Sequence, residues 1–378
     1  MLVLMTAAPV PTHVAPLIRA ARGLVARDHQ VIIAVHESLH PSRHLSGIHF
    51  EPAGQDWISP MLGPLLKEPE ISAATVAGLM ERMQDEGFLG DPATSLAADV
   101  TALIARYRPD VIVRESYEYG GFLAAEAANI PLAVLGVTGM VSQFLPDAAV
   151  ASAAGRWGVS PTSDSGADRT RGEFYAEFMP PTFDVKLAED PAVYHFHRSH
   201  RPGPTNVALS KRPFVYVSLG TVIPLFKSAK SVLQTIVTAL GEIDCTAVVV
   251  TGGLEVANRP ANVHLVPRAK QIQLLDQADL FVTHCGYTSV QESTRAAVPM
   301  IGIPWIAENN LIANRAAELG LARVLHWETV DVNEVRDAVK AALEDAIARS
   351  VMRAYRESLV LLPGDDCLID ALEHVVEA

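Results

Sequence analysis

The chain holds only three cysteines, at positions 245, 285 and 367 of 378. Their scatter fits neither a disulfide framework nor a metal-ligand spacing, so a reducing compartment, the cytoplasm, is expected. Long Lys/Arg runs are also missing, and the formal net charge is −13. That argues against nucleic acid and anionic membrane as main partners. No apolar stretch is long enough to span a bilayer without charges or prolines. The apolar start, Met1–Val10, lacks the basic segment of a signal peptide and runs into Pro11 and His13, so it reads as a first strand. There is no repeat of solenoid period, no low-complexity tract and no acidic cluster with metal-ligand spacing, and no metal is expected.

What is present is a globular composition, 49% hydrophobic and 19% charged, in a length that suits two domains. Strand-like runs alternate with helix-like segments: Leu2–Thr6, Val31–Val35, Ile48–Pro52, Val111–Glu115 and Leu132–Val137, with helices at Pro16–Arg27, Ala93–Tyr107 and Tyr119–Asn129. Residues 54–100 and 138–200 carry no motif. A proline-containing, aperiodic stretch around 198–213 marks a linker. The alternation then restarts with Phe214–Leu219, Cys245–Thr251, Val263–Val266, Leu280–Thr283 and Met300–Ile303. The expected fold class is α/β, with two Rossmann-like halves on parallel sheets facing across a cleft.

The densest chemistry lies between Leu280 and Gly320. A buried strand ends at His284-Cys285-Gly286, and Thr288 and Ser289 follow where a helix begins. Free backbone N–H groups and the helix dipole favour an anion there. His284 can add a hydrogen bond or a positive charge. Glu292 shares the face of Thr288 and Ser289, and its carboxylate could accept two hydrogen bonds from a ribose diol. Phosphate donors beside a diol acceptor suggest a nucleotide diphosphate.

In a doubly wound sheet of order 3-2-1-4-5, the first and fourth strands are neighbours and ligands bind beyond their carboxyl ends. Applied twice, that order puts His13, in the loop after strand one, beside Glu115, and Gly220-Thr221 beside His284-Cys285-Gly286. His13 is then either a general base oriented by Glu115 or a plain polar loop residue, with Glu115 paired to Arg114 or Arg108. Gly220 and Thr221 offer N–H groups and a hydroxyl to phosphate, or form a simple strand-to-loop turn.

The pattern His284-Cys-Gly286-x-x-Ser289-x-x-Glu292, followed by Pro299, Pro304 and Glu308-Asn309, resembles the donor signature of inverting GT-B glycosyltransferases of family one, which modify plant and microbial natural products. Thr12-His13-Val-Ala-Pro16 resembles the family's Gly-His-x-x-Pro, and the Arg114-Glu115-Ser116 context resembles enediyne-type members, with Glu where many relatives have Asp. The resemblance implies His13 as general base with Glu115 as partner, Val266 at the nucleobase edge with Leu265 where plant members stack a Trp, and Glu308 and Asn309 on sugar hydroxyls. It implies a UDP-sugar or dTDP-deoxysugar as co-substrate and no further cofactor. Glu292 favours the ribonucleotide, Asn309 the deoxysugar. The acceptor implied is a small apolar molecule such as a polyketide aglycone, and Trp57, Met61, Met83, Phe88, Met140 and Phe144 could line its pocket or belong to the core. Domain boundaries are expected at 1–200, a linker at 201–212, a donor domain at 213–360, and a terminal helix at 361–378 that braces the first domain. Alternative readings are a nucleotide-sugar epimerase, a MurG-like transferase or a non-catalytic helper of another transferase.

Overall fold

Val, Ile and Leu fill most strands without polar alternation, the pattern of parallel strands covered on both faces. In the computed structural model, which describes residues 1–41, 44–68, 70–162, 168–199, 212–306 and 308–377, these strands form two sheets. The first has seven, β1 (Leu2–Thr6), β2 (Gln30–Val35), β3 (Ile48–Pro52), β4 (Val111–Glu115), β5 (Leu132–Leu135), β6 (Phe174–Glu177) and β7 (Val193–His195), in the order β3-β2-β1-β4-β5-β6-β7. The second has six, β8 (Phe214–Ser218), β9 (Thr246–Val250), β10 (Val263–Val266), β11 (Leu280–Thr283), β12 (Met300–Gly302) and β13 (Ala322–Val324), in the order β10-β9-β8-β11-β12-β13. Every named pairing is parallel, and β1 lies beside β4 as β8 lies beside β11. The central order is the expected one. Strands β6, β7 and β13 were not anticipated. They have three or four residues, and β7 and β13 are half-exposed, so those two carry no buried hydrophobic run to betray them.

Helix α1 spans Pro11–Val25, starting five residues before the expected Pro16. Pro11 takes the first helical position, where a missing N–H costs nothing. Pro16 therefore falls inside the helix and is buried there, giving up one main-chain hydrogen bond. His13 is thus in the first turn of a helix, not in a loop. Helices α2 (Asp91–Tyr107) and α3 (Gly120–Ala128) cover the other part of the first sheet.

Contacts divide the chain into two units, Met1–Leu62 with Leu79–Ser199 and Leu362–Ala378, and Gly63–Gly78 with His200–Leu361. Segment 63–78, expected in the first domain, goes with the second; there the Lys227 ammonium donates to the Lys67 carbonyl at 2.7 Å. The expected linker, 201–212, lies outside the described residues except for Arg212. The C-terminal helix, Asp365–Glu377, packs on α1 within the first unit, burying Leu368, Ile369, Leu372 and Val375. Burying each is worth roughly 1.5–3 kcal/mol. The solvent-screened pairs Arg19–Asp365 and Arg27–Asp370 add far less. A Cβ on Gly23 of α1 would come within 2.9 Å of Ile369, so the glycine permits the close approach.

Candidate active site

In the first unit, β4 delivers Glu115 to the sheet's carboxyl edge and α1 starts above the neighbouring β1. His13 Nδ1 lies 2.9 Å from Glu115 Oε1. The carboxylate is wholly buried and the imidazole 12% exposed. Backbone N–H groups of Ala8 (3.2 Å) and Tyr117 (2.7 Å) also donate to Glu115. Burial pushes against its ionisation, but the charge and hydrogen bond of His13 and these two N–H groups outweigh it, holding Glu115 below the ordinary carboxylate range. An ionised acceptor facing Nδ1 fixes the tautomer with its proton there, and Nε2 becomes the basic nitrogen. Arg114 and Arg108 are not the partners of this carboxylate: Arg114 donates to the carbonyls of Glu115, Ser116, Glu118 and Thr170, and Arg108 caps α2 in a left-handed conformation.

The ring of His13 stacks on Phe88, centroids 6.4 Å apart, with Tyr117 at 5.9 Å. Phe88 meets Trp57 edge-on at 4.8 Å, and both line a small cavity with Ala8, Tyr117 and Glu118. Of the six candidate pocket side chains, Trp57, Met61, Phe88, Met140 and Phe144 are buried.

Glu118 was not singled out from the sequence. Its carboxyl is 4% exposed, accepts from Thr6 Oγ1 and takes the Gly121 N–H at 2.9 and 3.0 Å. Burial pushes its pKa up to about 7. A Cβ at Gly120 or Gly121 would reach 2.9 or 2.8 Å from its oxygens. The pair Gly120-Gly121 is the available sign of this cradle in the sequence.

In the second unit, His284 follows β11 and is packed between two glycines. A Cβ on Gly220 would meet its Cε1 at 2.5 Å, and one on Gly286 its Nε2 at 2.4 Å. Gly220 also has φ +77°, which a side chain resists. Burial drives the His284 pKa down to about 4 against the opposing hydrogen bond to the Ser218 backbone. In the unliganded site the ring is therefore neutral near pH 7 and offers a hydrogen bond. Cys285, at φ 59°, is fully buried and burial pushes its thiol up to about 12, which makes it a packing residue.

Gly286 is the N-cap of α5 (Tyr287–Ala296), reached after α4 (Gln271–Leu275), and no side chain caps that helix start. Its first N–H groups are those that lack intrahelical partners. Thr288 and Ser289 lie in the first turn. Gln271, unremarked in the sequence, donates to Ser289 Oγ at 3.1 Å and to Glu292 Oε2 at 2.8 Å, and receives the Tyr216 hydroxyl at 3.4 Å. It joins Ser289 and Glu292 into one polar face. Thr221 is exposed after β8. Val266 ends β10, and its carbonyl accepts the Thr251 N–H at 2.9 Å. Glu308 and Asn309 start α6 (Asn309–Glu318) after β12, Asn309 being buried. The contacts thus bring together His13 with Glu115, His284 with Gly220 and Gly286, and Ser289 with Glu292.

Comparisons with known proteins find glycosyltransferases. Residues 207–356 match the family model described as UDP-glucoronosyl and UDP-glucosyl transferase. The chain is 32% identical over 138 residues to the NDP-glycosyltransferase YjiC of Bacillus subtilis, a match covering 35% of this chain and 34% of that protein's length. It is 22% identical to the 4'-demethylrebeccamycin synthase of Lentzea aerocolonigenes over 99% of this chain and 98% of that one. Among solved structures, the glycosyltransferase VinC in complex with dTDP superposes with a TM-score of 0.75 at 21% identity, covering both chains fully (100% each). The chain has the GT-B fold, and its 207–356 segment resembles UDP-glucoronosyl and UDP-glucosyl transferases, while the chain spans about a third of the length of the first curated relatives it matches.

Proposed function

We propose that the protein is an inverting, metal-independent glycosyltransferase that moves a sugar from a nucleotide diphosphate sugar to a hydroxyl of a small apolar natural product, in the cytoplasm. The observation that carries this reading is the 2.9 Å contact of His13 with buried, ionised Glu115. His13 Nε2 takes the acceptor's hydroxyl proton as that oxygen attacks the anomeric carbon, the sugar–phosphate bond breaks, and the diphosphate leaves with the electron pair. Glu115 stabilises the imidazolium that forms. The leaving charge falls to N–H groups at Gly220, Gly286 and the start of α5, with Thr221, Thr288 and neutral His284 as hydrogen-bonding side chains. Glu292, held by Gln271, is the proposed ribose acceptor, Val266 borders the base, and Glu308 and Asn309 hold sugar hydroxyls. The whole-length relative and the dTDP complex of VinC support a donor of this class.

The test is thermal-shift binding of UDP and dTDP to the wild type and Glu292→Ala, since a ligand that binds the native state raises the melting temperature. A UDP shift that exceeds the dTDP shift and fades in the variant supports a ribonucleotide donor. A dTDP shift indifferent to the variant keeps the transferase and moves the donor to dTDP-deoxysugars. No shift with either refutes the reading and leaves a non-catalytic helper.

A further inference from the structure

Two loops carry the proposed base and its partner. One follows β1 and leads through Ala8 into the first turn of α1, where His13 sits. The other follows β4 and leads from Glu115 into α3. The His13–Glu115 contact joins them, and so does the Ala8 N–H, which donates to the same Oε1 at 3.2 Å. The position of Ala8 over Glu115 thus sets where Oε1 stands.

Glu118 makes a further crossing between these loops. Its Oε2 accepts from the hydroxyl of Thr6, the last residue of β1 and two before Ala8. Both of its oxygens accept the Gly121 N–H in the first turn of α3, at 2.9 and 3.0 Å. The carboxyl is therefore pinned at once to the end of β1 and to the start of α3. Its main chain is fixed as well: the Glu118 N–H donates to the Glu115 carbonyl at 3.2 Å, and the Arg114 guanidinium donates to the Glu118 carbonyl at 2.9 Å. Capping of a helix start explains the Gly121 bond but not the Thr6 bond. Burying a carboxyl is also costly, and burial pushes this one up to about 7. An exposed Ser or Asn caps a helix without that cost.

We propose that Glu118 is a positioning residue for the His13–Glu115 pair: by tying Thr6 to α3, it fixes the loop that brings the Ala8 N–H and His13 to Glu115. The inference rests on the reading of His13 as the base, and Glu118 acts through that pair without touching substrate.

The test reads the His13 ring directly, by nitrogen-15 NMR of the whole protein with labelled histidine at about pH 8.5, where imidazoles are neutral. His13→Gln identifies its signals among the 13 histidines. In the wild type the tautomer with the proton on Nδ1 should predominate, because ionised Glu115 faces that nitrogen. Thr6→Val deletes the hydroxyl at similar shape and leaves both carboxyls in place. It should lower the ratio of the Nδ1–H to the Nε2–H tautomer about tenfold, the worth of one hydrogen bond. Glu118→Ala should do the same. Glu118→Gln keeps an acceptor for Gly121 and a donor for Thr6, and its ratio should stay within about threefold of the wild type. An unchanged ratio in Thr6→Val overturns the proposal, and a fall in melting temperature without it leaves Glu118 a helix cap. A ratio in Glu118→Gln as low as in Glu118→Ala overturns it too, since the tie is then present and without effect. Should Glu118→Ala not fold, Thr6→Val decides. No nucleotide or acceptor enters the measurement, so its outcome is separate from that of the UDP and dTDP shifts that test the transferase reading.

Discussion

Glu177 closes β6 with a carboxyl that is 2% exposed. Its Oε1 accepts the Phe178 N–H at 2.7 Å, and its Oε2 has no hydrogen-bond partner. Burial pushes its pKa up to about 8, helped by nearby Asp184 and opposed by the backbone bond and Arg198. In the unfolded chain this carboxyl releases its proton near 4.5. Between those values the unfolded state binds fewer protons than the folded one, so stability falls as pH rises through the window. The span of about 3.5 pH units at about 1.36 kcal/mol each gives roughly 5 kcal/mol, fully lost above pH 8. Whole proteins are stable by only about 5–15 kcal/mol, so the effect is large. Glu177→Gln keeps the shape and cannot ionise. Urea unfolding followed by tryptophan fluorescence should show wild type and variant nearly alike at about pH 5, and the variant more stable by several kcal/mol at about pH 8.5. An advantage of the same size at both pH values, or none at the higher one, refutes the assignment of a neutral buried carboxyl.

Three further outcomes follow from the candidate site. His13→Ala should lower kcat by about 10²–10⁴ while thermal shifts with UDP or dTDP persist; retained turnover with full metal dependence defeats the general-base role. Gly220→Ala must accommodate a Cβ 2.5 Å from the His284 ring at φ +77°, so nucleotide shifts should vanish and the melting temperature fall by several degrees, as about 1–2 kcal/mol of backbone strain implies. Gln271→Ala removes the link between Ser289 and Glu292; donor KM should rise about tenfold with kcat little changed, and an unchanged KM removes Gln271 from the donor site.

The parallel sheets and their central order were legible because β1, β4, β8 and β11 are buried on both faces and read as apolar runs. Strand order alone put His13 beside Glu115 but left open whether the two pair. The start of α1 was not legible, since Pro11 and Pro16 are both plausible first-turn prolines and only the fold chooses between them. Gln271 was hidden for a different reason. It reaches Ser289 and Glu292 across 18 and 21 residues, and a lone glutamine at a helix start has many solvent-facing uses. Glu118 likewise becomes notable only when the fold shows its two oxygens against Gly121. The charge state of His284 depends on how tightly Gly220 and Gly286 enclose it, which spacing does not convey.

The last helix belongs to the unit that the first strand begins, and the 162 residues between Ser199 and Leu362 separate it from the rest of that unit. At synthesis rates of about 5–20 residues per second, the ribosome needs on the order of ten to thirty seconds to cross that interval. During that time the face of α1 around Gly23 has no Ile369 to meet, and the second unit can fold first. Order of emergence and order of completion are therefore inverted in this chain: the half that is made first is finished last.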